Sequence, residues 1–366
     1  MTKRTWWYTL VTTLLVSGLA ACSGGGGGGG GGGSGIPSAS NAAITPPPTT
    51  AVQITNNGGG APSQPNQSIA AHGFEASQGA LTNAADPASL VVGSAKAGSG
   101  GERETLSAIV RRHAERLKDH KPSVTGALQV DTQQCTGGGT DTFAFDDASQ
   151  SATEVFVNCN NSGKVLHGTL SSSNVSVVQN LGPTVGSPYV LAVTATFTID
   201  LAVTRAPDPT VVTQGSFTFT VSINGNMQAD GTGGVQTGPA STITIAMSGA
   251  SLLTQNGAVR ELLTNFGVTV IDNLNTSSSS IAGSYTYAST TIGGSVMVAI
   301  TGAIVSQSGQ SHPSSGIVTI TSPGSPGKIV LTVLSPTTGV SVDVYADASG
   351  PITDHVDLTW AQVDAL

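Results

Sequence analysis

The feature that most constrains the fold is a strict alternation of apolar and small polar residues in the chain after Pro122. In the segment 196–204, Phe, Ile, Leu and Val alternate with Thr, Asp and Ala, and in the segment 216–223 Phe, Val and Ile alternate with Ser and Thr. Successive side chains of a β-strand point to opposite faces of a sheet, so each segment has one apolar and one polar face. Such segments are typical of antiparallel sheets that are wet on one side.

The same alternation recurs along the rest of the chain and predicts about 13 to 15 strands. It is found in the segments 243–247, 296–300, 329–333, 340–344 and 356–360. The pairs Asn224-Gly225, Asp230-Gly231 and Asn256-Gly257 predict tight hairpin turns. No predicted helix separates consecutive strands, which argues against parallel βαβ units. We therefore expect an all-β fold, either a large antiparallel meander that forms an open barrel or a two-sheet sandwich.

The first 21 residues have the layout of a secretory signal peptide. Lys3 and Arg4 form a positive start, and the apolar run from Trp6 to Leu19 is too short to span a bilayer as a helix. Small residues precede Cys22, which predicts cleavage before this cysteine and its modification with a lipid anchor, including palmitate. The alternative is an ordinary secretory signal that is cleaved near Ala21 and leaves Cys22 unmodified.

A lipid anchor at Cys22 implies a location in the cell envelope, since several acyl chains hold a protein stably on a membrane. Ser23 follows the cysteine, where an aspartate would indicate retention in the inner membrane. We therefore expect an outer-membrane lipoprotein on the periplasmic face or at the cell surface. The membrane is the expected partner through the anchor, and a protein or lipid ligand is left open.

Residues 22–100 are dominated by Gly, Pro, Ser, Ala, Asn and Thr and include ten consecutive glycines. Few of these side chains bury enough apolar area to offset the entropy of ordering the chain, which predicts a disordered tether. As a flexible coil, such a tether has a root-mean-square span of about 50 Å.

The segment 101–121 is predicted to form one amphipathic helix. Leu106, Ile109, Val110 and Leu117 recur at three- and four-residue spacing, and Pro122 ends the pattern. The favoured interpretation is a helix that packs its apolar stripe against the sheet. The alternative is a basic helix that docks on an acidic polysaccharide or partner. Residues 122–366 then form the antiparallel β domain.

The β domain is acidic. After Pro122, four Lys and Arg residues stand against fifteen Asp and Glu residues, a net charge of −11. Nucleic-acid binding requires Lys and Arg contacts to the phosphate backbone, so this charge argues against a nucleic-acid partner.

Two cysteines remain after Cys22, namely Cys135 and Cys159. An even pair in an exported chain predicts a disulfide. The alternative is a two-cysteine metal site, but the nearest histidine is His167 and no spaced histidines accompany the pair.

No motif for catalysis, a cofactor or a metal stands out, and we expect a protein that is not an enzyme. The segment 324–328 resembles a phosphate-binding loop but lacks its first glycine and the following helix. The acidic segment 347–354 invites a calcium site, yet it lacks the alternating oxygen ligands of such loops. Asp343, Tyr345, Asp347 and Asp357 are predicted to share a polar face, so a glycoside hydrolase is the enzyme alternative.

Several segments together resemble a family of proteobacterial lipoproteins that has no established activity. They are 135–140, Cys159, 167–170, 312–320, 329–334, 342–347 and Thr359-Trp360. The resemblance implies an envelope compartment and a β-rich domain with a cysteine pair, a short acidic loop and a final strand that ends in Thr-Trp. The cysteine followed by a glycine tract is also similar to the start of surface lipoproteins of pathogenic neisseriae that capture host factors.

These observations predict a non-catalytic binding or structural module of the cell envelope. One alternative is a carrier that holds an apolar ligand, a lipid or a lipoprotein chain, in a β cavity. The other is a surface-exposed protein that captures a host or environmental factor.

Overall fold

The structure is a computed structural model that describes residues 37–82, 128–146, 149, 151–161, 163–205 and 210–366. Within these ranges the chain forms fourteen β-strands and two α-helices. The strands, in chain order, are β1 Leu128–Gln134, β2 Thr140–Asp146, β3 Ser151–Asn161, β4 Lys164–Asn180, β5 Pro188–Arg205, β6 Val211–Ala229, β7 Val235–Asn256, β8 Val259–Asn273, β9 Ser278–Ser289, β10 Gly294–Gln307, β11 Ser315–Thr321, β12 Lys328–Ser335, β13 Gly339–Tyr345 and β14 Ile352–Thr359. The helices are α1 Gln64–Thr82 and α2 Trp360–Val363.

All fourteen strands belong to one antiparallel sheet in which spatial order follows sequence order, from β1 to β14. The strands β1 and β14 do not pair with each other, so the sheet is not closed. The prediction of an all-β antiparallel meander is confirmed. The two-sheet sandwich is wrong, because short sequential turns keep each strand hydrogen-bonded to its chain neighbours in a single sheet.

The alternation of residues produces two distinct faces of the sheet. Phe197, Ile199 and Phe217 are buried on the inner face, where they join one hydrophobic core with residues from β3 to β14 and from α1. The outer face carries hydroxyl groups that bond across strands, such as the Thr194 and Thr220 pair at 2.9 Å between Oγ1 atoms. A shared core on one face and hydroxyl pairs on the other explain why Thr-rich strands form this sheet.

Two of the three predicted hairpin turns are confirmed and one is wrong. Asp230-Gly231 lies in the turn between β6 and β7, and Asn256-Gly257 lies at the turn between β7 and β8. Asn224-Gly225 instead lies inside β6. A Cβ on Gly225 would come within 2.6 Å of a ring carbon of Tyr189, so this glycine makes room for an aromatic side chain rather than for a turn.

Residues 37–62, which we call the strap, run across the strands at one end of the sheet before α1 begins. The prediction of a disordered tether over residues 22–100 is therefore wrong for residues 37–82. The strap has little regular structure of its own, and the sheet supplies hydrogen-bond partners for its backbone. The composition of the strap predicted disorder, because the hydrogen-bond partners that order its backbone lie far away in the sequence. Residues 22–36 and 83–100 lie outside the described residues.

The strap defines the two ends of the sheet. The strap end contains the turns that precede β2, β4, β6, β8, β10, β12 and β14. The far end contains the turns that precede β3, β5, β7, β9, β11 and β13, together with α2.

Helix α1 begins at a capping sequence and packs on the inner face. The Ser63 hydroxyl accepts the backbone N–H of Asn66 at 3.4 Å, and Pro65 lies in the first turn, where it is well tolerated. Ala70, Phe74 and Ser77 are fully buried on one side of the helix. A helix thus precedes the sheet as expected, while the predicted helix at 101–121 lies outside the described residues.

Candidate functional site: the strap, the helix and the two ends of the sheet

The strap starts on the outer face at β4 and β5, where Asp200 holds it. Asn41 donates its backbone N–H to Asp200 Oδ2 at 3.0 Å and its side-chain amide to Asp200 Oδ1 at 3.1 Å. The hydroxyl of Thr169, which pairs with Asp200 across the sheet, donates to the carbonyl of Ala39 at 2.8 Å. One carboxylate thereby fixes the beginning of the strap.

Gln214, on the neighbouring strand β6, binds both Asp200 and the strap. Its amide nitrogen donates to Asp200 Oδ1 at 2.9 Å and to the Ala42 carbonyl at 3.1 Å, and its Oε1 accepts the N–H of Ile44 at 3.0 Å. A glutamine presents both a donor and an acceptor, so it pairs with an extended backbone much as a neighbouring strand does. Ile44 is buried in this position.

The middle of the strap crosses β8 and β10. Arg260 Nη1 donates to the Thr45 carbonyl at 3.1 Å. Ser295 exchanges backbone hydrogen bonds with the strap, donating to Thr50 at 2.9 Å and accepting from Val52 at 3.2 Å. A Cβ on Gly294 would lie 2.4 Å from the Thr50 carbonyl oxygen, so this glycine allows the strap to approach the strand closely.

The strap then passes the turn between β11 and β12 and ends at β14. Ser325 Oγ accepts the N–H of Ile54 at 3.3 Å and donates to its carbonyl at 3.1 Å. Asp354 Oδ2 accepts the N–H of Asn57 at 2.7 Å, and its Oδ1 accepts that of Gly59 at 3.1 Å. Since the Asp354 residue is only 1% exposed, its carboxylate depends on these strap N–H groups.

Helix α1 enters the inner face after the strap and approaches β9 to β11 closely. A Cβ on Gly73 would come within 2.8 Å of Ile320 Cδ1. Because glycine has no side chain, the helix backbone can lie directly on the sheet at this position. The Tyr285 hydroxyl donates to the Gly73 carbonyl at 2.9 Å and lies 2.7 Å from Ser77 Oγ. Burial raises the pKa of Tyr285, so the phenol stays protonated and keeps its bond to the helix.

A second buried phenol lies near the strap end. The Tyr287 hydroxyl donates to Glu261 Oε1 at 2.6 Å, and both residues are buried. Burial, with the Glu261 charge as a further cause, raises the pKa of Tyr287 well above its ordinary value. The pair is therefore a fixed donor and acceptor inside the core rather than an accessible acid or base.

Three aromatic rings stack at the far end of the core. Trp360 stacks with Phe74, with ring centroids 5.9 Å apart, and with His312, with centroids 4.4 Å apart and planes 3° apart. The Trp360 indole N–H donates to the Ser335 carbonyl at 3.0 Å. The stack joins α1, the turn before β11 and α2. It therefore brings together His312 and Trp360, which the resemblance singled out in separate segments.

Of the predicted polar face, Asp343 on β13 and Asp357 on β14 lie together with a histidine between them, whereas Asp347 lies in the turn before β14. His355 Nδ1 is 2.7 Å from Asp343 Oδ1, and His355 Nε2 is 3.5 Å from Asp357 Oδ1. The hydrogen bond to Asp343 raises the pKa of His355. The imidazole bridges the two aspartates, an arrangement that stabilises a protonated ring on an exposed surface.

The acidic turn before β14 has internal partners. Asp347 Oδ1 accepts the backbone N–H of Ser349 at 2.9 Å, which lowers the pKa of Asp347. Lys328 Nζ donates to the Ala348 carbonyl at 2.8 Å and lies 4.5 Å from the centroid of the Tyr345 ring. These contacts give an ordered hairpin loop. Over the described ranges, no three His, Cys, Asp or Glu side chains are grouped in a way that suits a metal ion.

The other predicted site residues have separate positions. Cys135 and Cys159 form the predicted disulfide, which links the turn before β2 to the end of β3 at the strap end. The segment 324–328 forms the turn between β11 and β12 and the first residue of β12, where Ser325 binds the strap. Cys22 lies outside the described residues.

Sequence reasoning missed the residues that hold the strap. The sequence places Asp200 only on the polar side of a strand, and Asp354 only in the acidic segment 347–354 that invites a calcium site. One signal was present in the sequence, since Asp354 interrupts the alternation of β14 at a position that faces the core. A buried carboxylate at such a position requires donors from elsewhere in the chain.

No protein-family model matches the sequence, and no curated protein or solved structure is significantly similar to the chain. In the part of the chain that the structure describes, no helix is both long enough and apolar enough to cross a membrane.

Proposed function

We propose that this protein is a lipid-anchored lipoprotein of the outer membrane whose β domain is a non-catalytic binding or structural module. Cys22 carries the anchor, and the protein is related to the proteobacterial lipoproteins that its cysteine pair and Thr-Trp ending resemble. The disulfide between Cys135 and Cys159 supports an oxidising, exported location.

The observation that carries the proposal is the strap. The chain enters the sheet only a short distance after Cys22 and is held by Asp200, by Ser295 and finally by Asp354. A pull on the anchor is therefore transferred to many strands rather than to one terminus. Such a connection suits a domain whose task is to stay attached while it holds a partner.

The outer face supports binding rather than chemistry. Its central strands present rows of hydroxyl groups, as in the Thr196–Thr218 and Thr301–Thr319 pairs. Hydroxyl groups donate and accept hydrogen bonds without a strong charge, which suits a polar protein or glycan partner.

The first experiment tests the anchor. The N-terminal peptide of the protein, purified from bacterial envelopes, is analysed by mass spectrometry, together with a Cys22→Ser variant. Acyl groups on Cys22, and release of the variant from the membrane fraction, are the expected results. An unmodified N-terminus on a wild-type protein found in the soluble fraction contradicts the proposal.

The second experiment tests the binding module. Wild-type protein is cross-linked in native envelopes, captured, and analysed for bound proteins and lipids, and protease is applied to intact cells to test surface display. A reproducible protein or glycan partner supports a binding role. Turnover of a glycoside substrate by the purified protein contradicts the non-catalytic assignment.

One observation favours the apolar carrier as a second candidate. Helix α1 packs mainly against β8 to β13, whereas an aromatic group of Phe197, Phe217 and Phe219 lies on the inner face of β5 and β6. Phe197 and Phe217 are buried against the rest of the core, so in this role an acyl chain enters between these rings and their neighbours. Native mass spectrometry of the protein purified without detergent tests this role. A lipid bound at one-to-one stoichiometry supports a carrier, and a lipid-free protein that takes up no added lipid contradicts it.

A further inference from the structure

The β14 edge of the sheet is covered by contacts from the strap and from α2. Every second residue of a strand directs its backbone N–H to the same side, and on β14 the side away from β13 belongs to His355, Asp357 and Thr359. The His355 N–H donates to the Gly60 carbonyl of the strap at 2.8 Å. The Thr359 N–H donates to Gln362 Oε1 of α2 at 2.9 Å. A further strand therefore cannot lie along β14 without displacing the strap or α2.

Strand β14 also carries features that discourage strand pairing. Asp354 is a buried carboxylate in the middle of the strand, and the charged side chains of His355 and Asp357 stand beside it. A register shift interrupts the ladder between β13 and β14 at Val344. Edge strands that avoid adding another strand use such inward-pointing charges and irregular ladders.

Strand β1 forms the other edge, and half of its backbone groups point away from the sheet. The Cys135 N–H donates to the Gly139 carbonyl across the turn between β1 and β2 at 3.1 Å. The ladder between the two strands continues from this turn without a register shift. Alternate residues of β1 therefore direct their N–H and C=O groups outward, and these are Leu128, Val130, Thr132 and Gln134. Among the described residues, none forms a hydrogen bond with these outward groups.

Strand β1 lacks the features that protect β14. Its seven residues include neither lysine nor proline, and its ladder with β2 has no bulge. Leu128 is 54% exposed and Val130 is 39% exposed, and both side chains lie on the same face of the strand. A regular, exposed edge with apolar side chains is a template for a further strand.

We propose that two copies of this chain pair through their β1 strands, antiparallel, around a two-fold axis at Val130. In this register Val130 of one copy lies opposite Val130 of the other, and Leu128 lies opposite Thr132. At each of these pairs the outward N–H and C=O groups of one copy meet those of the other. The exposed side chains of Leu128 and Val130 from both copies adjoin on one face, which removes apolar area from water.

A second copy fits this edge because one contact satisfies both chains and leaves no open edge. In a two-fold contact each subunit uses the same surface, so the assembly closes as a dimer. A contact between β1 of one copy and β14 of the next would continue into a fibre, but Gly60 and Gln362 occupy the β14 edge. The pairing does not depend on the lipid anchor proposed at Cys22.

Disulfide trapping tests the pairing and its register. The protein is produced without its first 21 residues and with Cys22→Ser, so the native disulfide holds its remaining cysteines. Val130→Cys places two thiols opposite each other, with Cα atoms about 5.5 Å apart, which suits a disulfide. Thr132→Cys is the register control, because its two copies are separated by about 13 Å along the strand direction. Mild oxidation is expected to give a covalent dimer with Val130→Cys and not with Thr132→Cys. Equal trapping of the two variants, or no trapping of either, overturns the pairing.

A charge on the edge tests the same contact without a cross-link. Two lysines directly opposite each other repel, so Val130→Lys is expected to prevent dimerisation. Ile352→Lys is the matched control, since Ile352 is a 51% exposed apolar residue at the start of the covered strand β14. A contact along one short strand is smaller than a standard interface, so sedimentation equilibrium is measured up to high protein concentration. The parent chain and Ile352→Lys are expected to shift toward the dimer mass, while Val130→Lys keeps the monomer mass. A parent chain that stays monomeric throughout, or a Val130→Lys variant that dimerises equally, overturns the proposal.

A strand from a different protein is the alternative occupant of the β1 edge. Val130→Cys is therefore also expressed with its leader and Cys22 intact, oxidised in bacterial envelopes, and its linked peptides are identified by mass spectrometry. A link between position 130 of two copies supports self-pairing. A link from position 130 to another protein, in place of the second copy, overturns it. The fate of the anchor is read separately, because the purified chain of the first two tests carries none.

Discussion

At the scale of single residues, the space that Gly294 leaves for the strap gives the sharpest prediction. A Cβ at this position would lie 2.4 Å from the Thr50 carbonyl, so Gly294→Ala forces the strap away from β10. We expect a loss of about 1–3 kcal/mol in the free energy of unfolding, as for other overpacked sites. Gly267→Ala is the control, because a Cβ at this position on β8 would have nothing within 4 Å. Urea denaturation checks both variants, and equal midpoints contradict close packing of the strap.

The carboxylate of Asp354 gives a second prediction. Asp354→Asn replaces one acceptor oxygen with an amide that faces a backbone N–H, so either Asn57 or Gly59 loses its partner. The expected loss is about 1–3 kcal/mol in the free energy of unfolding, with faster hydrogen exchange at residues 57–59. Asp357→Asn changes a carboxylate whose side chain is 61% exposed, and it serves as the control. Unchanged exchange at residues 57–59 in Asp354→Asn is the contrary result.

The histidine on β14 gives a prediction about pH. The hydrogen bond that His355 donates to Asp343 raises the pKa of His355, so the charged ring stabilises the folded protein at pH values below the pKa of the unfolded state. This contribution is lost as the pH rises through the raised pKa of the folded state. It is well under 1 kcal/mol, because the His355 side chain is 54% exposed.

An NMR titration of His355 measures this effect. Asp343→Asn is expected to lower the pKa of His355 toward 6.5. Asp357→Asn is expected to lower it less, since this carboxylate is 3.5 Å from Nε2 rather than 2.7 Å from Nδ1. The prediction fails if the order of the two variants is reversed.

At the scale of elements, the strands were predictable and the strap and α1 were not. A period of two identified β5, β6 and β12 directly, because each strand buries one face in a shared core. Helix α1 escaped notice because it buries Ala70, Ala71 and Ala76 more than large apolar residues, and its cap at Ser63 follows a Gly-rich stretch. Its place on the inner face depends on contacts with strands more than 200 residues away.

The aromatic stack at Trp360 tests how α1 contributes to stability. Phe74 is fully buried against Trp360, so Phe74→Ala opens a cavity and costs about 3–5 kcal/mol in the free energy of unfolding. Trp360 is the only tryptophan after residue 7, and its emission therefore reports on this contact in a chain that lacks the first 21 residues. A red shift in the native emission is expected. Met297 is 51% exposed, so Met297→Ala is the control. It is expected to change neither the free energy of unfolding nor the tryptophan emission.

The hydrogen-bond partners of the strap explain why its position on the sheet could not be predicted from the sequence. Its carbonyl and N–H groups pair with Gln214, Ser295, Ser325 and Asp354, which come from four separate parts of the sheet. Each partner residue has an ordinary place in a strand or turn when it is considered alone. Only the order of the strands brings the four partners into line, and that order is a property of the assembled meander.

At the scale of the whole molecule, the sequential strand order limits how far a local change can spread. Every strand bonds only to its neighbours in sequence, so strands near one edge can separate without breaking the ladders at the other. The disulfide lies near the β1 edge, where it ties the turn before β2 to β3. The strap instead bridges β4 to β14 and joins strands that are not neighbours.

Removal of the disulfide tests this division of the molecule. Cys135→Ser with Cys159→Ser frees a loop with a sequence separation of 24 residues, and the chain-entropy model gives a loss of about 3–4 kcal/mol. Because the hydrogen bonds of the described strap residues go to β4 and to later strands, hydrogen exchange is expected to become faster in β1 to β3 and to stay slow in β8 to β13, where α1 packs. The Gly294→Ala variant should show the opposite distribution, with faster exchange in the strap and in β10. Uniformly faster exchange in both variants would mean that the fourteen strands unfold as one unit, and that neither the disulfide nor the strap has a region of its own to stabilise.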